Sequence, residues 1–150
     1  MELRTLTIDN IEEIKSFFFD IFTKEPWNDD WSNDNQLHAY IMDLIGNPNS
    51  LALGFFEDGT MVGLSMGCIK HWYSGTEYCI DEFCVKTEEQ GRGIGTRFLK
   101  EIEAFIKQKG IKQIFLQTER NVPAYNFYKK NGFFEIEDHV TLLYSFGEQL

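Results

Sequence analysis

Apolar positions along the chain follow two rhythms, and the switches between them lay out a fold. Residues 2–8 alternate apolar and polar, which predicts a first strand. Ile11, Ile14, Phe18, Ile21 and Phe22 then recur at helical spacing up to about Thr23, with Asp9 or Asn10 placed to cap the helix. A second helix, opened by Ser32 or Asn33, carries Leu37, Tyr40, Ile41, Leu44 and Ile45 on one face and stops at Gly46 and Pro48. Strands at 51–56 and 61–69 flank Asp58 and Gly59, a hairpin signal. A turn at 71–76 feeds a further strand at 78–85, rich in aromatic and β-branched residues.

Ile94, Phe98, Leu99, Ile102, Phe105 and Ile106 mark one face of a long helix with a charged opposite face. Gly110 stands where a helix end takes a left-handed residue. The strand expected at 111–118 is separated from 78–85 by that helix, so the two should be parallel neighbours in a right-handed crossover. A short helix at 121–131, with Pro123 early in it and Gly132 past its end, precedes two strands at 133–137 and 140–146, a closing hairpin about Asp138 and His139. The class is therefore α/β (α+β): a mixed, mostly antiparallel sheet with about four flanking helices. A chain of 150 residues with 43% hydrophobic positions fills one core, so 1–150 reads as a single domain.

Charge narrows the function. A formal net charge of −10 argues against direct nucleic-acid binding. Residues 1–75 hold twelve acidic and four basic side chains, with no Lys or Arg between Lys24 and Lys70, whereas 86–112 hold seven basic and four acidic ones. The second region suits a polyanionic ligand and the first a cationic one. Cys68, Cys79 and Cys84 show neither disulfide nor zinc spacing, and His38, His71 and His139 are scattered, so no metal site is expected. All three cysteines read as buried thiols, with a covalent nucleophilic role kept open for Cys84. With no apolar run near 18 residues and no basic-then-apolar leader, a soluble, cytoplasmic protein without membrane contact is expected.

The strongest chemical signal joins the strand at 78–85 to the long helix. Gly91, Gly93 and Gly95 let the backbone approach a ligand where the first helical turn leaves its N–H groups unpaired, which is an anion site. Thr96 stands where a dinucleotide fingerprint needs Gly or Ala, and no Gly-Lys-Ser/Thr follows as in a P-loop. The run Gln90, Gly91, Arg92, Gly93, Ile94, Gly95 resembles the acetyl-CoA-binding motif of the GNAT acyltransferase superfamily, Gln/Arg-x-x-Gly-x-Gly/Ala. Residues 121–133, with Asn121, Ala124, Phe127, Tyr128, Gly132 and Phe133, resemble its second signature, Asn-x-x-Ala-x-x-Phe-Tyr-x-x-x-Gly-Phe.

The resemblance implies a GNAT fold whose two parallel strands splay to admit the pantetheine arm. It implies acetyl-CoA held by Phe83, Cys84, Val85, Gln90, Gly91, Arg92, Gly93, Ile94, Gly95, Thr96, Asn121 and Tyr128, with the pyrophosphate on loop N–H groups. It gives Tyr128 as general acid toward the departing thiolate, or as the group that stabilises it. Carboxylates of such proteins often stand on the cofactor strand, so Glu82 is the first candidate base, with Asp81 and Glu77 as alternatives and a water relay open. Simple alternation would place Tyr78, Ile80, Glu82 and Cys84 on one face; a bulge, common in this strand of the fold, would break that pattern. The loop at 25–31 lies where GNAT proteins build one acceptor wall, and Trp27, Asp29, Asp30 and Trp31 would suit an ammonium group there, alongside Glu82. Its alternative is that the indoles lid the core and the carboxylates are solvated. The implied function is N-acetylation of a small cationic amine, aminoglycoside- or polyamine-like. A protein or peptide amine, or a non-catalytic acyl-CoA sensor, are the alternatives. Many relatives dimerise through the C-terminal strands, and a homodimer is compatible with this chain.

Overall fold

The computed structural model describes residues 1–147, which group into two compact units, Met1–Gln117 and a second beginning at Thr118. The first holds a five-stranded sheet of β1 (Glu2–Leu6), β2 (Ser50–Glu57), β3 (Thr60–Trp72), β4 (Gly75–Val85) and β5 (Gln113–Leu116), adjacent in chain order. Neighbours are antiparallel except β4 and β5, which run parallel across the expected crossover. The predicted strands at 2–8 and 111–118 are each shortened, and 61–69 extends to Trp72.

Three helices cover this sheet: α1 (Ile11–Phe22), α2 (Asp34–Ile45) and α3 (Ile94–Gln108). Period-two side chains divide its residues between two cores. Ala52, Phe56, Leu64, Met66 and Cys84 pack with the apolar stripes of α1 and α2. Leu51, Leu53, Phe55, Val62, Tyr78 and Ile80 pack with α3. The Phe98 ring of α3 stacks on Phe55 and on Phe83, at 5.1 Å between centroids in each case, which fixes the helix against the strand that carries the candidate base. The buried Tyr78 hydroxyl is 2.8 Å from Ser65 Oγ and donates to the Leu51 carbonyl at 3.0 Å, tying β4 to β3 and β2.

Local chemistry accounts for the ends of these elements. Asn10, one of the two residues expected, is the N-cap of α1, but its side chain makes no cap bond to that helix. It accepts instead from the Thr7 N–H while Thr7 Oγ1 accepts from the Asp9 N–H, a reciprocal box that closes a short 3-10 turn at Ile8–Asn10. Asn33 caps α2 through the Gln36 N–H. Asp58 and Gly59 both have positive φ, 50° and 79°, as a two-residue hairpin turn requires.

Two irregularities in β4 shape the site. The pairing shifts between Met66↔Glu82 and Gly67↔Ile80, so Asp81 is a bulged residue with no partner of its own on β3. Alternation restarts after it, and the four-residue face expected from simple spacing is corrected: Glu82 and Cys84 face α1 and α2, while Tyr78 and Ile80 face α3. The second irregularity is a splay. β4 pairs with β3 as far as Gly63↔Val85 but with β5 only to Ile80↔Leu116.

The second unit contains α4 (Pro123–Lys130), with Pro123 at its first turn and Gly132 at φ 93° after its end. Tyr128 is buried, with its ring against Phe127 and Phe133. Glu135 binds Arg120 at 2.6 Å and the Tyr125 hydroxyl at 2.9 Å. The closing hairpin expected at 133–137 and 140–146 is not formed as strands among the described residues; the His139 N–H donates to the Ile136 carbonyl in a turn. Alternation decides which side chains share a face, but a strand exists only when its backbone groups are paired by a neighbour. Here Phe134, Val140, Leu142, Leu143, Tyr144 and Phe146 all stay exposed.

Candidate active site

The bulge and the splay meet at one carboxylate. Glu82 is the first residue after the bulge, on the stretch of β4 that β5 no longer pairs, and it turns toward α2. Its Oε1 accepts a 2.6 Å hydrogen bond from the Tyr40 hydroxyl of α2. Burial raises its pKa to about 7; the Tyr40 hydrogen bond opposes this and the charges of Asp81 and Asp29 add to it. A carboxyl that titrates near neutrality accepts a proton and releases it at little cost, as a general base must.

Cys84 follows on the same face. Burial, reinforced by the Glu82 charge, holds its thiol well above the ordinary value, so the thiolate that covalent acyl transfer needs is disfavoured. Glu77, the other carboxylate considered, is buried and bound by Gln113 at 2.5 Å and by the Cys79 thiol at 3.6 Å. It is occupied by structure. Asp81 is exposed on the bulge.

The geometry of the glycine loop suits a phosphate-bearing ligand. Gly91 and Gly93 have φ of 86° and 77°, and a Cβ built on either meets no atom within 4 Å, so the loop has an open face. Gly93 is the N-cap of α3 and no side chain caps the helix there, which leaves first-turn N–H groups as the anion-binding element. Ile94 is buried beneath and anchors the turn; Gly95 and Thr96 belong to the first turn. Side chains turn elsewhere: Gln90 donates to the Val85 carbonyl at 3.1 Å, and Arg92 pairs with Glu89 and, at 3.9 Å, Glu57. The Arg92 N–H is directed at the Glu89 carbonyl, 3.4 Å away, so of the N–H groups expected to hold the pyrophosphate this one already has a partner. The loop fits an anion bound by backbone. Lys86 N donates to the Val62 carbonyl, and antiparallel alternation from that bond turns the backbone groups of Phe83 and Val85 away from β3, toward the splay.

The aromatic loop is half core and half surface. Trp31 stacks on Tyr40, 5.3 Å between centroids, and meets Phe18 edge-on, while Trp27 packs on Phe22. Both indoles are partly buried against the α1/α2 core. Asp29 is exposed yet close enough to Glu82 to raise its pKa. Asp30 is exposed and accepts from the Ser32 N–H, which lowers its own pKa through hydrogen bonding. The structure therefore gathers Trp31, Asp29, Tyr40 and Glu82 together, and places Trp27 and Asp30 at the margin. Asn121 and Tyr128 belong to the second unit.

Tyr40 is the residue that sequence reasoning missed, having been read only as part of an apolar helix face. One signal was available: a phenol on a buried stripe needs a partner for its hydroxyl. Which partner was a question of tertiary structure.

Comparison with known proteins bears on the fold and the family. A spermidine N(1)-acetyltransferase of Thermoplasma acidophilum is 28% identical over 92% of this chain and 90% of its own length. Among solved structures, a possible acetyltransferase from Clostridium difficile 630 superposes with a TM-score of 0.80 at 18% identity, covering 98% of each chain. An aminoglycoside acetyltransferase from an uncultured soil metagenomic sample, in complex with sisomicin, gives 0.73 at 17% identity, covering 97% of this chain and 96% of its own. These structural likenesses carry the fold. Residues 9–133 match the model of one family, and with its loop, splay and sheet order now described, the chain belongs to the acetyltransferase (GNAT) family, whose acetyl donor is acetyl-CoA.

Proposed function

We propose that this protein acetylates a primary amine of a small cationic acceptor, polyamine- or aminoglycoside-like, by direct attack in a ternary complex, with residues 1–150 acting as one catalytic domain. The observation that carries this reading is the environment of Glu82: a largely buried carboxylate at the strand splay, flanked by the charges of Asp81 and Asp29, with no Lys or Arg bound to it among the described residues. Such a site attracts a cation and then takes its proton. The spermidine-acetylating relative and the sisomicin-bound neighbour support the acceptor class. No helix among the described residues is long and apolar enough to cross a membrane, and the three cysteines are free thiols, in keeping with a reducing compartment such as the cytoplasm.

Bound acetyl-CoA would supply an activated acetyl carbonyl and a thiolate leaving group. The residues divide the remaining work. The N–H groups around Gly93, Gly95 and Thr96 would hold the pyrophosphate charge, and the pantetheine arm would run along the β4 edge at Phe83 and Val85, where the Val85 carbonyl also accepts from Gln90. Glu82 takes a proton from the acceptor ammonium, directly or through water, so that the nitrogen lone pair can form the amide bond as the carbon–sulfur bond breaks. Tyr128 would give its hydroxyl proton to the departing sulfur and be restored by the second proton that the nitrogen sheds as it becomes an amide; this role rests on the 121–133 signature.

Two consequences are measurable. Gly93→Ala forces an alanine to φ near 77°, which costs about 1–2 kcal/mol, so the loop relaxes and the Kd for CoA should rise roughly tenfold by calorimetry. Unchanged affinity would show that the loop is not the anion site. Tyr128→Phe should lower turnover roughly 10²-fold with CoA affinity intact, and a wild-type rate would remove the acid role.

The deciding experiment follows release of CoA thiol from acetyl-CoA with spermidine, aminoglycosides, amino acids and short peptides, beside a calorimetric CoA titration. Turnover on polyamines or aminoglycosides is expected. Turnover on peptides alone would move the acceptor to a protein amine, and tight CoA binding without turnover on any amine would favour the sensor reading.

A further inference from the structure

Glu82 has one oxygen fixed and one unengaged. Oε1 takes the 2.6 Å bond from Tyr40, a residue 42 positions away on another element, and Oε2 has no hydrogen-bond partner among the described residues. The Tyr40 ring is itself held: it stacks on Trp31 at an interplanar angle of 17° and lies 5.9 Å from the Phe18 centroid. A phenol locked between two aromatic neighbours cannot follow a carboxylate that rotates, so the carboxylate must stay with the phenol.

We propose that Tyr40 is a positioning residue for acetyl transfer, which clamps Glu82 through Oε1 and reserves Oε2 for the proton of the acceptor amine. The inference rests on the role of Glu82 as base given above. It also assigns a task to the aromatic loop, since Trp31 sets the ring plane of Tyr40 and through it the plane of the base.

The clamp has an electrical consequence. A hydroxyl donating to a carboxylate favours its ionised form. The groups that act on Glu82 in the other direction are burial and the charges of Asp81 on its own strand and Asp29 on the loop; Asp43 of α2 and Asp81 also face Tyr40, and the Cys84 thiol beside Glu82 is protonated. Among these, Tyr40 alone holds the titration of Glu82 down. Burial and the Glu82 charge push the Tyr40 hydroxyl up, so it remains a donor throughout the working range.

The test needs no acceptor. The side-chain carboxyl carbon of Glu82, assigned by its disappearance in Glu82→Gln, is titrated by 13C NMR in the ligand-free protein. Tyr40→Phe keeps the ring and removes the hydroxyl, and should raise the midpoint by about one unit or more. Difluorotyrosine introduced at position 40, a stronger donor of nearly the same shape, should lower it. A midpoint that moves in neither protein, or that falls in Tyr40→Phe, overturns the inference; the fluorinated protein decides alone if the phenylalanine variant does not fold. Because the titration is independent of turnover, a failure of the transfer reading on the amine panel and a failure of the clamp are seen separately.

Discussion

Glu82→Gln is expected to remove acetyl transfer while making the folded protein harder to unfold above neutral pH. The loss of a base in proton-transfer contact should cost roughly 10²–10⁴ in kcat/KM. CoA affinity should hold, since the glycine loop is elsewhere on the chain. The gain in stability follows from linkage. Burial raises the folded-state pKa of Glu82 from 4.5 to about 7, so between those values the folded protein binds more protons than the unfolded one. Stability therefore falls as pH rises from about 4.5 to about 7, and the deficit persists above. Glutamine accepts the Tyr40 hydrogen bond without the charge, and should recover on the order of 1–3 kcal/mol at pH 8 and little at pH 4. Thermal unfolding of both proteins at the two pH values, beside a thiol-release assay, checks each half. Wild-type turnover would remove Glu82 from the mechanism; a stability difference that ignores pH would mean that its carboxyl is not held in the buried, shifted state. Activity of the wild type should rise with pH through about 7, because the base works only after losing its proton.

Gly67→Ala should be severely damaging for the addition of one methyl. A Cβ at this position would lie 1.9 Å from the Cys79 carbonyl oxygen and 2.9 Å from the Ile80 Cα, and both are backbone, which cannot rotate aside. Gly67 is the β3 residue at the register shift, so the clash falls on the bulge that presents Asp81 and reverses the face of Glu82. Relief requires β3 and β4 to separate or the bulge to close, at roughly 3 kcal/mol. For a chain of this size that lowers Tm by on the order of 10 °C. Folded Gly67→Ala protein should also have lost its transferase activity disproportionately, because closing the bulge carries Glu82 away from α2. A variant with unchanged Tm and turnover would show that the bulge tolerates a side chain and does not aim the base.

The glycine loop was legible from residues because backbone chemistry leaves few ways to write it: a strand, glycines able to take φ near 80°, then an amphipathic helix. Glu82 was legible as a candidate but its surroundings were not. Period-two counting put it with Tyr78 and Ile80, and one extra residue at Asp81 moved it to the opposite core. Tyr40 was hidden for a related reason, since its contact spans 42 positions and nothing local to α2 marks a hydroxyl as the partner of a distant carboxylate. The aromatic loop was read as an acceptor wall or a core lid, and Trp31 is packed on the core while joined through Tyr40 to the candidate base. The strand pattern at 140–146 was clear and unfulfilled, because alternation proposes a face and pairing must come from elsewhere.

What the sequence determined by itself is whatever is written within one or two turns of chain: helix spans from apolar spacing, caps and hairpin turns from Asn10, Asn33, Asp58 and Gly59, and the anion loop from its glycines. Tertiary structure decided which carboxylate is desolvated, which hydroxyl holds it and where the parallel strands part. Those properties are set by register and packing between segments distant in sequence, and a one-residue shift in register reverses them while leaving every local propensity the same.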